Sequence, residues 1–208
     1  MKTRLLYMLS FVAALTLTGC PDPPCFNPDP SYTFAITTHF TPKQDSIQVG
    51  DTLYLVSEFP STMVPVGGQE PVDYSNSTGI HSLVNIRELI SGTNKIVGVV
   101  SNFDYFSVDG RIYNSKEIPS PERVQQLLYA EKAGEYVLKV GLIPKKKGIY
   151  SLVIGYGISN GKTAGDKCTR AAFDITVTNT DPHMYYLEPF INDPNVDIPN
   201  IHYLFKVY

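Results

Sequence analysis

The 208-residue chain reads as an all-β protein: an antiparallel β-sandwich followed by a proline- and aromatic-rich C-terminal extension. Three observations predict this. Apolar residues alternate with polar ones over several short stretches, the period of a strand with one buried face. Turn residues interrupt those stretches about every ten positions, as in sandwiches. A helical period is confined to one short segment.

The first alternating stretch is SYTFAITTHF, in which Tyr32, Phe34, Ile36, Thr38 and Phe40 share a face. SIQVGDTLYLVSEF follows as two short strands about Gly50-Asp51, with Leu53, Leu55 and Ser57 facing one way. HSLVNIRELI and TNKIVGVV, joined through Ser91-Gly92, read as a hairpin. GEYVLKVGLIP and GIYSLVIGYG repeat the alternation on either side of Lys145-Lys146-Lys147-Gly148, and AAFDITVT adds a strand with Phe173, Ile175 and Val177 in register. Between them, Ser120-Pro121-Glu122 looks like a helix start, and Val124, Leu127 and Leu128 fit a 3.6-residue period through Tyr129. The same residues also fit a strand before the turn at Gly134.

Beyond Asn179 the pattern changes. Residues 180–208 hold Pro182, Pro189, Pro194 and Pro199 and end in HYLFKVY. The rings of Tyr185, Tyr186, Phe190, Tyr203, Phe205 and Tyr208 are together too apolar to remain in water, so the segment is expected to pack back on the domain and to offer the edge of HYLFKVY for strand pairing to a partner.

Two connections are long enough to suggest function. Pro60–His81 carries Tyr74 and His81, and Ser101–Ser120 carries Phe103, Tyr105, Phe106 and Tyr113. Tyr74, His81, Phe103, Tyr105 and Tyr113 are therefore the candidate binding residues; closing off the sandwich core is the competing role for the same rings.

The start of the chain has a different character. Met1-Lys2-Thr3-Arg4 precedes an apolar run from Leu5 to Leu17, the layout of a secretory signal peptide and too short to span a bilayer. Leu17-Thr18-Gly19-Cys20 resembles the lipobox of bacterial lipoproteins. The resemblance implies a diacylglyceryl thioether on Cys20, cleavage before it, and a lipid-anchored, extracytoplasmic mature protein, with the outer membrane as the expected location. An ordinary signal peptide with a chance cysteine is the alternative. The division is then 1–19 signal peptide, 20–30 proline-rich tether, 31–179 sandwich and 180–208 extension.

With Cys20 carrying lipid, Cys25 and Cys168 remain in an oxidising compartment, and a disulfide between them is the expectation. It would leave a tether of about five residues, roughly 15 Å of extended chain.

Gly148-Ile149-Tyr150-Ser151-Leu152-Val153-Ile154 resembles the late strand of immunoglobulin-like (Ig-like) domains, where a tyrosine opens a strand after a tight turn, and IQVGDTLYL is similar to the early strands of bacterial Ig-like modules. The resemblance implies an Ig-like sandwich. It departs from the family in having no tryptophan, and the fold carries no activity with it.

Charge and motifs exclude more than they assign. The chain carries 17 basic and 20 acidic side chains, and without Lys2 and Arg4 of the leading segment 15 remain against 20, a net charge of −5. No basic nucleic-acid face is expected from that balance. Gly157-Ile158-Ser159-Asn160-Gly161 fits a nucleophile elbow, but the glycine-rich GKTAGDKC that follows cannot supply the helix such an elbow needs. Gly161-Lys162-Thr163 lacks the earlier glycine of a nucleotide-binding loop, because Tyr156 stands there. Asp193, Asn195 and Asp197 lack the glycine and distal glutamate of a calcium loop, and the cysteines and histidines show no metal-ligand spacing. The Lys145–Lys147 run reads as a solvated hairpin tip. No catalytic residue, metal or cofactor is expected. The sequence therefore points to a non-enzymatic accessory module that binds another envelope protein, with glycan binding for nutrient uptake as the alternative.

Overall fold

A computed structural model describes residues 30–90, 95–113, 124–159, 161–162, 168–178, 181–191 and 203–208. Residues 1–29, on which the expected signal peptide, Cys20, Cys25 and most of the expected tether fall, lie outside these, as does the Asp193–Asp197 segment.

The described strands are β1 (Tyr32–Thr41), β2 (Ser46–Ile47), β3 (Leu53–Pro60), β4 (Thr62–Met63), β5 (Val72–Asp73), β6 (His81–Ile90), β7 (Lys95–Gly98), β8 (Phe103–Asp109), β9 (Arg111–Tyr113), β10 (Val124–Leu128), β11 (Ala130–Lys132), β12 (Glu135–Pro144), β13 (Gly148–Ile158), β14 (Ala171–Val177) and β15 (Tyr203–Val207). The protein is an all-β, Ig-like sandwich. One sheet runs β14-β13-β6-β10-β9, and the other holds β3 and β12 with β8 and β11 sharing the far side of β12. β1 belongs to both: Tyr32–Thr38 pair in parallel with β14, and His39–Thr41 pair antiparallel with β3. A strand that changes sheets joins the two layers at one edge and fixes their spacing.

Alternation builds the core. Phe34, Ile36, Thr38 and Phe40 of β1 and Leu53, Leu55, Ser57 and Phe59 of β3 are all buried. The main cluster joins Leu53, Leu55, Leu138 and Val140 of one sheet to Val84, Ile86, Leu152 and Ile154 of the other. Fully burying such a side chain contributes about 1.5–3 kcal/mol. At the start of β13 the Tyr150 hydroxyl donates to the Lys146 carbonyl over 2.9 Å, the tyrosine corner of Ig-like sandwiches. Burial pushes that phenol up to about 12.

Three expectations change. From Val124 onward the segment is not a helix, while the expected start at Ser120-Pro121-Glu122 lies outside the described residues: β10 pairs with β6 on one side and β9 on the other, and it buries Gln125 and Leu127 by alternation. Pairing on both sides, with β6 and β9, outweighs a helical spacing of only three residues. The two long connections are also not open loops. The first holds the β4–β5 pair, and the second forms β8 and β9 as far as Tyr113, beyond which it leaves the described residues.

The third change concerns the extension. Its last strand lies inside the sheet, with β15 antiparallel to Gly148–Leu152 of β13 and parallel to β2 at Lys206 and Val207. The edge of HYLFKVY that was expected to await a partner is thus taken by Ser46-Ile47. β14 pairs with β13 only at Gly157 and Ile158, so β15 continues along β13 where β14 leaves off. Tyr203 stacks on Phe40 at 4.7 Å, and Phe205 meets Tyr150 at 5.8 Å. Between β14 and β15, the 3-10 turn Met184–Leu187 crosses the outside of the β13–β6 sheet, where Leu187 buries itself against Leu89 and Leu204, and leads into the helical turn Glu188–Ile191.

Candidate binding surfaces

The five aromatic and histidine candidates do not converge. Tyr74 is fully buried, edge-on to Phe34 at 5.4 Å and to Phe173 at 6.2 Å. Its hydroxyl lies 2.7 Å from Ser159 Oγ, which also accepts the Ala171 N–H at 2.9 Å. Tyr136 donates to the Tyr74 carbonyl at 2.8 Å and accepts the Ser77 N–H at 2.9 Å; burial pushes its phenol up. This network ties the Pro60–His81 excursion to the body of the sandwich. It also turns the serine of Gly157-Ile158-Ser159-Asn160-Gly161 inward, as a packing hydroxyl.

Phe103 is likewise core, edge-on to Tyr150 at 5.0 Å. Tyr105 is half-buried and donates to the Val100 carbonyl at 3.0 Å, and burial raises its phenol. His81 opens β6 half-buried, with Nδ1 3.0 Å from the Gly79 carbonyl. Of the five only Tyr113 is exposed, at 43%, with the Arg111 guanidinium 5.8 Å from its ring centre. Tyr74 and Phe103 therefore fill the core and offer no binding face.

The outward face of the β3–β12–β8 sheet presents a different constellation. In register across it lie Thr41, Tyr54, Gly141 and Phe106. A Cβ on Gly141 would run into the Phe106 ring, so the glycine lets that ring fold flat across β12. Phe106 meets Tyr54 edge-on at 5.9 Å and 86°, and the Lys139 ammonium sits 5.2 Å over the Tyr54 ring. Phe106 nevertheless remains 38% exposed. Val56 lies in the adjoining row beside Lys139, and Val108, left over where the β8–β12 register shifts, is exposed. Lys132 pairs with Asp109 at the margin of this strip. The sequence carries a signal for it: Tyr54 and Val56 alternate with the inward Leu53 and Leu55, which puts apolar residues on the strand's solvent face.

Where the extension meets the β1–β2 connection, Lys43, Gln44, Asp45, Ser46, Asp181, His183 and Tyr185 line an open polar cleft of about 540 Å³. Tyr185 donates to Asp45 Oδ2 at 2.5 Å, and that bond, helped by one from Ser46, holds the Asp45 carboxyl below its ordinary value. Tyr203 donates to the Gln44 carbonyl, and His183 Nδ1 lies 2.7 Å from the Leu204 carbonyl. These contacts buckle the extension to the sandwich. Among the described residues no group of three or more His, Cys, Asp or Glu is placed to hold a metal.

Neither a protein-family model nor a curated protein matches the chain.

Proposed function

We propose that the chain is a membrane-anchored extracytoplasmic lipoprotein of the outer membrane, whose Ig-like sandwich is a non-enzymatic module that binds another envelope protein. The observation that carries the binding role is the Tyr54–Gly141–Phe106 row. It is an ordered apolar strip on the outside of a sheet, flanked by Lys139 and Asp109, which is how a protein-binding patch is built: rings at the centre, charges at the rim. The edge-on packing of Phe106 and Tyr54 makes a ridge rather than a flat stacking platform, which favours a protein over a sugar ring. The lipid anchor rests on the Leu17–Cys20 motif after its apolar run. The staple from Cys25 to Cys168 rests on these being the two cysteines left once Cys20 carries lipid, in an oxidising compartment.

The test is a double variant, Tyr54→Ser with Phe106→Ser, in the full chain. Both side chains point away from the core, so melting should shift by no more than a few degrees while crosslinks to a neighbouring envelope protein disappear. Retention of every crosslink would overturn the assignment of this face. Saturable binding of wild type to a glycan array, lost in the double variant, would replace the protein partner with a carbohydrate.

A further inference from the structure

The pole where the tether joins carries an apolar feature of its own. Between β4 and β5 the chain turns through Val64-Pro65-Val66-Gly67-Gly68. Val66 is 59% exposed, the most of any large apolar side chain described, and Val64 is 52% exposed. The turn is pinned: the Val66 N–H donates to the Thr33 carbonyl at 2.7 Å and the Gly68 N–H to the Pro65 carbonyl at 2.9 Å. Gly67 takes φ +78°, which a glycine adopts without strain. The two valines are thus held outward on a fixed backbone.

Thr33 is three positions after Pro30, where the described chain begins. The Ser31 N–H bonds to the Arg170 carbonyl at 2.8 Å, two residues beyond Cys168. The start of β1, the valine turn and Cys168 therefore share one pole. Cys20 precedes Pro30 by ten residues, a reach of about 31 Å at the rise of a proline-rich chain, and about half that if Cys25 is stapled to Cys168. The opposite pole, with Val49 and the Lys145–Lys147 turn, is a strand length further away, roughly 30 Å for ten residues.

We propose that the Val64-Pro65-Val66 turn seats in the interfacial layer of the bilayer that holds the Cys20 lipid, so that the domain stands on this pole. The inference rests on the lipid-anchor reading above. Two valines are too small a contact to hold a free domain on a membrane, but the anchor supplies the proximity, so a weak contact suffices to orient a tethered one. The exposed Glu70 and Asp73 on the same excursion favour a zwitterionic surface over an anionic one.

Because the chain has no tryptophan, a single introduced one reports without background. Full-length lipidated protein carrying Val66→Trp, and separately Val49→Trp at the other pole, is reconstituted into phosphatidylcholine vesicles with and without brominated acyl chains. Both should float with the vesicles. The Val66→Trp emission should shift to the blue and be quenched several-fold by the brominated lipid, while Val49→Trp stays water-like. A Val66→Trp protein that floats with a water-like, unquenched emission overturns the inference and leaves the anchor standing. A blue shift without quenching means that protein covers the turn, and also overturns it. Failure to float overturns the anchor and the seating with it.

Discussion

The two sheets leave apolar side chains on their outward faces and treat them differently. On the β13–β6 sheet the outward Leu89, Ile149 and Leu204 are roofed by Leu187 and Tyr186 of the C-terminal extension. On the β3–β12 sheet the outward Tyr54, Val56 and Phe106 receive no comparable roof among the described residues, and Phe106 and Val108 remain exposed. Apolar area that the fold covers with its own chain contributes to stability. Area held in order but left open costs hydration, and in the function proposed above this ridge is where a partner docks. The first face is thus read as architecture and the second as function.

That contrast can be broken most forcefully by removing the roof. Truncation after Asn179 deletes Leu187 together with β15, whose Tyr203, Leu204, Phe205 and Val207 are all buried. The expected outcome is loss of the cooperative thermal transition, seen by calorimetry. A truncated domain that still melts cooperatively near the wild-type temperature would show that the extension is an accessory. Single changes sharpen the point. Phe205→Ala should cost about 3–5 kcal/mol and Leu187→Ala about 2–5 kcal/mol in denaturant unfolding.

A smaller effect follows from pH. Burial pushes the phenols of Tyr150 and Tyr203 up to about 12, against about 10 in an unfolded chain. The folded state therefore holds these protons more tightly, and the stability they contribute is complete below pH about 10 and lost as pH rises through about 12. Denaturant midpoints should fall across that window. Tyr203→Phe should flatten the fall, and an equally steep fall in the variant would remove Tyr203 from the account.

On the open face the expected stability effects are smallest. Phe106→Ser should change unfolding free energy by about 0.5 kcal/mol or less, as for an ordinary surface position. A cost of several kcal/mol would make Phe106 a structural lid over Gly141 and undo the contrast between the faces.

Much of the framework was legible because strand periodicity is local. Leu53, Leu55 and Phe59, or Phe34, Ile36 and Phe40, declare their common face within a few residues, and Tyr150 after its lysine turn marks the corner. Val124, Leu127 and Leu128 satisfy two periods within five residues, so only pairing with β6 and β9 decides between them. The placement of β15 depends on partners far away in the chain, Ser46-Ile47 and Gly148–Leu152, and no local signal encodes it. Tyr74 sits in a glycine- and proline-rich stretch without a period, so its burial beside Ser159 could not be read from neighbours. The Tyr54–Phe106 row was half-visible: alternation places Tyr54 outward, but the match to Gly141 and Phe106 is a matter of register.

The central claim is that the open face, and not the roofed one, meets the partner. A photo-reactive residue at position 106, compared with one at the exposed Tyr185 on the roof of the other sheet, measures this in intact envelopes. The account predicts a discrete crosslinked band from position 106 and none from position 185. A band from 185 alone, or equal bands from both, would contradict it.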